Sequence, residues 1–159
     1  PFSEKGKEVR PSGFFDEVLS SLITPACNAA DFGVQTARAH GSDLIHHTII
    51  SQLVEADLVV ADLTDHNPNV LFELGIRIAL DKPVLLIRAK GTPAIFDVDH
   101  MMRVCEYDPR LWKTIIGADI TTMTDHVKGA WEKKDKNPSY IGILKTGTQP
   151  GMPSSLQKA

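Results

Sequence analysis

Glu55-Ala-Asp-Leu-Val-Val-Ala-Asp-Leu-Thr64, Asp65-His-Asn-Pro-Asn-Val-Leu-Phe-Glu-Leu-Gly75 and Ile76-Arg-Ile-Ala-Leu-Asp-Lys-Pro-Val-Leu-Leu-Ile-Arg88 follow one another without a break and decide the fold. Two short apolar runs, Leu58–Leu63 and Val84–Ile87, flank a periodic segment, Val70–Leu80. A parallel strand covered on both faces reads as such a run, because neither face meets water. The middle segment is too long for a strand and carries helix punctuation. Asn67 or Asn69 can cap it, and Pro68 suits the first helical position after an Asn67 cap. Strand, helix and strand within about 30 residues make a βαβ unit. Its ligand crevice is expected at the carboxyl ends of the strands, where the loop 64–69 lies.

Glu73 is the acid one turn into that helix, close to the positive end of its macrodipole. Val70, Leu71, Phe72, Leu74, Ile76, Ile78, Ala79 and Leu80 surround it on all sides, so a largely buried helix is expected. A buried acid needs a partner or a chemical task. Arg77, four residues on, offers an ion pair in the favourable order, and catalysis is the other reading. Gly75 weakens the helix, which points to a close approach of backbone or ligand.

The Ala-Asp-Leu-Val-Val-Ala-Asp-Leu-Thr run, the Asn-Pro-Asn loop, Phe-Glu-Leu-Gly and Lys-Pro-Val-Leu-Leu-Ile together resemble the nucleoside 2-deoxyribosyltransferase superfamily. That group includes deoxyribosyltransferases and 2'-deoxynucleotide N-glycosidases, and is related in fold to TIR-like NAD-cleaving domains. The resemblance covers most of residues 1–108 and is specific in residues 57–80. It implies a three-layer Rossmann or flavodoxin-like α/β fold, a doubly wound parallel sheet of about five strands. It also implies that Glu73 is the nucleophile that attacks the anomeric carbon. Relatives carry a first strand ending in a segment similar to Pro1-Phe-Ser3, which puts that strand upstream of Pro1.

The length is that of one domain, residues 1–134, followed by a weakly ordered tail or linker, residues 135–159. A net charge of −3 gives no electrostatic case for a nucleic-acid polymer. No apolar run approaches transmembrane length and no signal peptide is visible, so no membrane association is expected. The two cysteines, Cys27 and Cys105, lack metal spacing and read as reduced, buried thiols of a cytoplasmic protein.

Before the βαβ unit, Ser3, Lys5, Gly6 and Lys7 lie in a loop that either contacts a substrate phosphate or ribose, or is simply solvated. A helix opens at Pro11 or Ser12 and runs to about Ala30, kinked at Pro25 and capped by Gly33. A short strand follows over Val34–Ala37, with Arg38 at its end as a substrate contact or a surface cation. A second helix spans Leu44–Glu55. Members of the resembled family place a carboxylate in this helix to assist the leaving base, and this chain has none there. His46 or His47 can substitute, because imidazole exchanges a proton near neutral pH.

Asp62 stands at the carboxyl end of its strand, eleven residues before Glu73. It either holds a ribose hydroxyl or bonds within its own loop. Asn67 and Asn69 serve either as helix caps or as sugar ligands. Val104–Tyr107 reads as the last strand. A helical segment starts near Leu111, is interrupted at Gly117 and resumes toward Trp131, with Trp112 and Trp131 as packing residues.

The chemistry implied is cleavage of an N-glycosidic bond in a small nucleoside or nucleotide. Glu73 forms the glycosyl-enzyme, with Asp62 beside it. The sugar is then released to water or to a second base. No metal or organic cofactor is needed. Self-association as a homodimer or higher oligomer is implied by the same resemblance. Two alternatives stand beside it: a TIR-like NAD-cleaving domain, and a nucleotide-sensing module without turnover.

Overall fold

The computed structural model describes residues 10–36, 52–95, 98 and 102–134. Three parallel strands form its centre: β1 (Val59–Asp62), β2 (Val84–Ala89) and β3 (Val104–Tyr107). They lie side by side in chain order, with Val59 opposite Val84, Asp62 opposite Ile87, and Ala89 opposite Tyr107. Side chains alternate across a sheet. Leu85, Ile87, Ala89, Cys105 and Tyr107 enter one core, and Ala61, Leu63 and Leu86 enter the other. Burial on both faces is why β2 is apolar over residues 84–87.

Helices cover both faces, which makes the three layers of an α/β fold. One face carries α1 (Phe14–Val18), a π turn (Leu19–Ile23), α2 (Thr24–Ala29) and α4 (Ile116–Glu132). Phe14, Val18, Leu22 and Ala26 pack there with Met123 and Val127. The other face carries α3 (Pro68–Ala79), through Leu74, Val70, Leu71 and Ile78. The βαβ unit is therefore present with the expected order and nearly the expected bounds.

Several details differ from expectation. About five strands are expected, and three occur among the described residues. Val34–Thr36 belongs to none of them and has no ladder partner among the described residues. The first helix begins at Phe14, not Ser12, because Gly13 takes a left-handed φ of 82° that ends the preceding turn. Pro25 has no N–H for the carbonyl four residues back, and the π turn directly before it absorbs the misfit, Thr24 N–H bonding to Leu19 O. The helix is closed by Asp31, not Gly33. Asp31 has φ 64°, with Phe32 N–H on Cys27 O at 2.9 Å and Asp31 N–H on Asn28 O at 3.1 Å, a Schellman pair. Gly117 does not interrupt α4. It sits in the first turn, where backbone N–H groups have no helical partner to lose. Trp112 is 57% exposed rather than packed, because the turn at Leu111 (φ 54°) aims it outward beneath the Arg110 guanidinium. Trp131 does pack, edge-on to Phe32.

The helix α3 is not buried all round. Leu74 and Arg77 are buried, whereas Phe72 is 66% exposed and Leu80 43% exposed. A single helix on one face of a sheet can bury only one stripe. Nor, among the described residues, does anything close on Gly75, whose added Cβ would meet none of their heavy atoms within 4 Å. Gly75→Ala is therefore expected to stabilise the chain by about 0.5–1 kcal/mol through helix propensity alone. Urea unfolding checks this, and a loss of stability would mean that a group beyond the described residues packs there.

Candidate active site

The carboxyl ends of the three strands are tied together by one hydrogen-bond network. Asp62 ends β1, and its Oδ1 accepts from Thr64 N–H at 3.0 Å and from the Thr64 hydroxyl at 2.5 Å. Its Oδ2 accepts from the Tyr107 hydroxyl, at the end of β3, at 2.8 Å. Thr64 Oγ1 in turn accepts from Ala89 N–H, at the end of β2, at 2.9 Å. Burial pushes the Asp62 carboxyl above its usual range, and the hydrogen bonds from Thr64 and Tyr107 oppose that rise.

The loop that follows is held by its own polar side chains. His66, at φ 49°, places Nε2 2.9 Å from Pro93 O, which fastens the loop to the segment after β2. Asn67 caps α3, its Oδ1 accepting from Asn69 N–H at 2.9 Å, and Pro68 opens the helix. Asp65 is ion-paired to Arg10 at 3.5 Å.

Glu73 lies in the second turn of α3, half-buried. Its carboxylate has no hydrogen-bond or ion-pair partner among the described residues, and burial pushes its pKa up. The alternative of a Glu73–Arg77 ion pair does not form. Arg77 is fully buried and turns toward the amino ends of the strands instead. There it donates to the carbonyls of Leu53, Ala56, Asp57 and Pro83 at 2.7–3.3 Å. Those carbonyls lie before β1 and β2, where the guanidinium donates to them rather than to Glu73, and Pro83 O also accepts from Val59 N–H at 3.3 Å.

Asp62, Asn67 and Glu73 line one cavity of about 220 Å³, together with Phe15, Asp65, Val70 and the strand residues Val59–Ala61. A second cavity of about 340 Å³, mostly apolar, meets it at Val59, Val60 and Glu73. Of the expected site residues, the fold thus brings together Glu73, Asp62 and Asn67. Asn69 is exposed and outside both linings, because its place in the first turn of α3 aims it at solvent. Ser3, Lys5, Gly6, Arg38, His46 and His47 lie outside the described residues. The bonds from Thr64 to Asp62 are the bonding within its own loop that is one of the two readings of Asp62, whereas Tyr107 escapes sequence reasoning. Nothing local marks Tyr107, and only the strand order carries its hydroxyl to Asp62.

With this geometry in place, the sequence profile of the nucleoside 2-deoxyribosyltransferase family matches residues 9–132. The chain belongs to that family. A human protein named 5-hydroxymethyl-dUMP N-hydrolase is 35% identical over 70 residues, which are 43% of this chain and 40% of that protein. The chain therefore spans less than half the length of that relative. No solved structure matches it.

Proposed function

We propose that this member of the nucleoside 2-deoxyribosyltransferase family cleaves the N-glycosidic bond of a nucleoside or nucleotide through Glu73. The observation that carries the reading is the Glu73 carboxylate itself. It has no partner among the described residues, and it borders the cavity that Asp62 and Asn67 also line. A carboxylate without a partner costs folding free energy, and a nucleophile needs its lone pairs unoccupied.

A Glu73 oxygen bonds to C1' as the C1'–N bond breaks, and the bonding pair leaves with the base, which takes up a proton. Water then attacks C1' and gives its proton to the group that protonated the base, the ester to Glu73 breaks with its bonding pair returning to the carboxylate, and free sugar leaves. A second base at that step would make the reaction a transfer. His46 or His47 is assigned the proton donated to the base. Asp62 and Asn67 are assigned to the sugar, and Asn69 to support of the Asn67 cap. Ser3, Lys5, Gly6 and Arg38 are assigned to a 5'-phosphate. The name of the human relative, a 5-hydroxymethyl-dUMP N-hydrolase, favours hydrolysis of a 2'-deoxynucleotide over transfer. Only the ionised Glu73 attacks, so kcat/KM rises with pH through a pKa above the ordinary glutamate value.

The test is product analysis by liquid chromatography. The panel holds nucleosides, 2'-deoxynucleotides including 5-hydroxymethyl-dUMP, and NAD, each with and without an acceptor base. Base release from a 2'-deoxynucleotide supports the reading. Release of nicotinamide alone, or of nothing, overturns it.

The exposed stripe of Phe72 and Leu80 on α3 supports the further assignment of a homodimer. Phe72→Glu places a charge in that contact and is expected to weaken the dimer at least about 30-fold. Sedimentation of both proteins checks it, and a monomeric wild type at tens of micromolar ends the idea. Cys27 and Cys105 are free and buried, which supports a reducing compartment such as the cytoplasm. Among the described residues, no helix is long and apolar enough to cross a membrane.

A further inference from the structure

We propose that Tyr107 and Thr64 are positioning residues that lock the Asp62 carboxylate in one orientation and leave it a single acceptor position for one substrate hydroxyl. The inference rests on the proposed function of the Glu73 cavity and deepens it.

Each carboxylate oxygen accepts about two hydrogen bonds. Asp62 Oδ1 has both, from Thr64 N–H and the Thr64 hydroxyl. Among the described residues, Oδ2 has one, from Tyr107. The Tyr107 and Thr64 hydroxyls lie 3.1 Å apart, yet each has already given its only proton to Asp62, so the two clamp the group from both ends. Thr64 Oγ1 is itself oriented by Ala89 N–H. The carboxylate therefore cannot rotate without breaking its bonds to Thr64, itself tied to β2, and to Tyr107 on β3. One lone pair on Oδ2 remains, on a residue that borders the cavity. Tyr107 is fully buried, which holds its ring against Ile87, Cys105 and the rest of that core.

Electrostatics agree with the geometry. The charged and titratable groups around Asp62 are Tyr107 from β3, Asp65 from the same loop with its partner Arg10, and Glu73 on α3 across the cavity. Burial and Asp65 favour a protonated Asp62. The Tyr107 and Thr64 donors favour the ionised form. Burial also pushes the Tyr107 hydroxyl far above its usual range, so it stays a donor at every pH of interest.

Tyr107→Phe removes one hydroxyl and keeps the ring. With a substrate that the wild type cleaves, kcat/KM is expected to fall about 10–100-fold, as a misplaced positioning group does. The acid limb of its pH profile is expected to move to higher pH, because a donor to the charged form is lost. Thr64→Val is expected to do the same, and Thr64→Ser to restore most of the activity. A role in packing alone predicts a lower melting temperature with an unmoved profile, and that result overturns the proposal. Carbon-13 NMR titration of the Asp62 carboxyl in wild type and Tyr107→Phe separates this idea from the proposed reaction. If no substrate is cleaved by the wild type, the reaction fails. An Asp62 titration unchanged in the variant overturns the clamp whatever the activity.

Discussion

Glu73→Gln is expected to abolish base release, by at least about 10⁴-fold in kcat, while leaving the protein as stable as before or more so. The loss follows from chemistry, because an amide cannot form the glycosyl ester and cannot be replaced by a neighbour in the same cavity position. The retained stability follows from the absence of partners for Glu73 among the described residues. Removing one half of a buried ion pair strands the other half, but both terminal nitrogens of Arg77 donate to backbone carbonyls and not to Glu73. The pH dependence has a definite sign. Burial raises the folded-state pKa of Glu73 above its unfolded value, so the folded chain binds this proton more tightly. The ionised group therefore opposes folding at neutral pH, and that opposition fades as pH falls through the raised pKa. Wild type and variant should differ most near pH 7, with the variant equal or ahead, and converge below about pH 4. Thermal melts across pH test it together with the activity assay. A variant that loses activity and also melts far lower at pH 7 would falsify the view of Glu73 as a carboxylate held in reserve for chemistry.

Arg77→Met is the opposite case, with a large effect on stability and an effect on activity only through the fold. The guanidinium fork joins α3 to the chain before β1 and before β2, reaching Leu53, Ala56, Asp57 and Pro83 from a fully buried position. Methionine fills much of the volume but takes the guanidinium's donors from those carbonyls, of which Pro83 O keeps Val59 N–H, at about 1–3 kcal/mol for each left unpaired where water cannot reach. A net loss of about 4 kcal/mol is expected, a large part of the stability of a domain this size. That corresponds to a fall in Tm of roughly 10–15 °C. Arg77→Lys should recover only part of it, because an ammonium lacks the planar set of donors that spans four carbonyls. Urea unfolding measures both. A loss under about 1 kcal/mol for Arg77→Met would mean that water replaces the guanidinium.

The βαβ unit was legible because its signals are local. Apolar runs that match a parallel strand, an Asn-Pro start and a periodic segment each need only neighbours in the chain, and β1, α3 and β2 follow them. The same holds for β3, at Val104–Tyr107. Family membership rests on the same stretch and extends it to residues 9–132. What misled was exposure. An apolar sequence on all sides of α3 does not reveal which stripe meets the sheet, so Phe72 and Leu80 were expected inside and stand in water. Helix ends misled too. A single left-handed residue such as Asp31 depends on backbone geometry that a nearby glycine, Gly33, does not announce.

From the sequence alone follow the α/β class and the strand and helix that carry Asp62 and Glu73, with an Asn cap at 67 or 69, all of which rest on the spacing of apolar residues or on side chains bonding to backbone within a few positions. The family rests on resemblance of the motifs in residues 57–80. Tertiary structure alone decides the partners. Glu73 and Arg77 are four residues apart, and the spacing that suits an ion pair equally allows the two to part, one toward the cavity and one toward the amino ends of the strands. Asp62 and Tyr107 are 45 residues apart, and only the pairing of β1 with β2 and of β2 with β3 brings their oxygens to 2.8 Å. Hydrogen bonds between distant residues are set by strand order and register, which a local pattern does not encode.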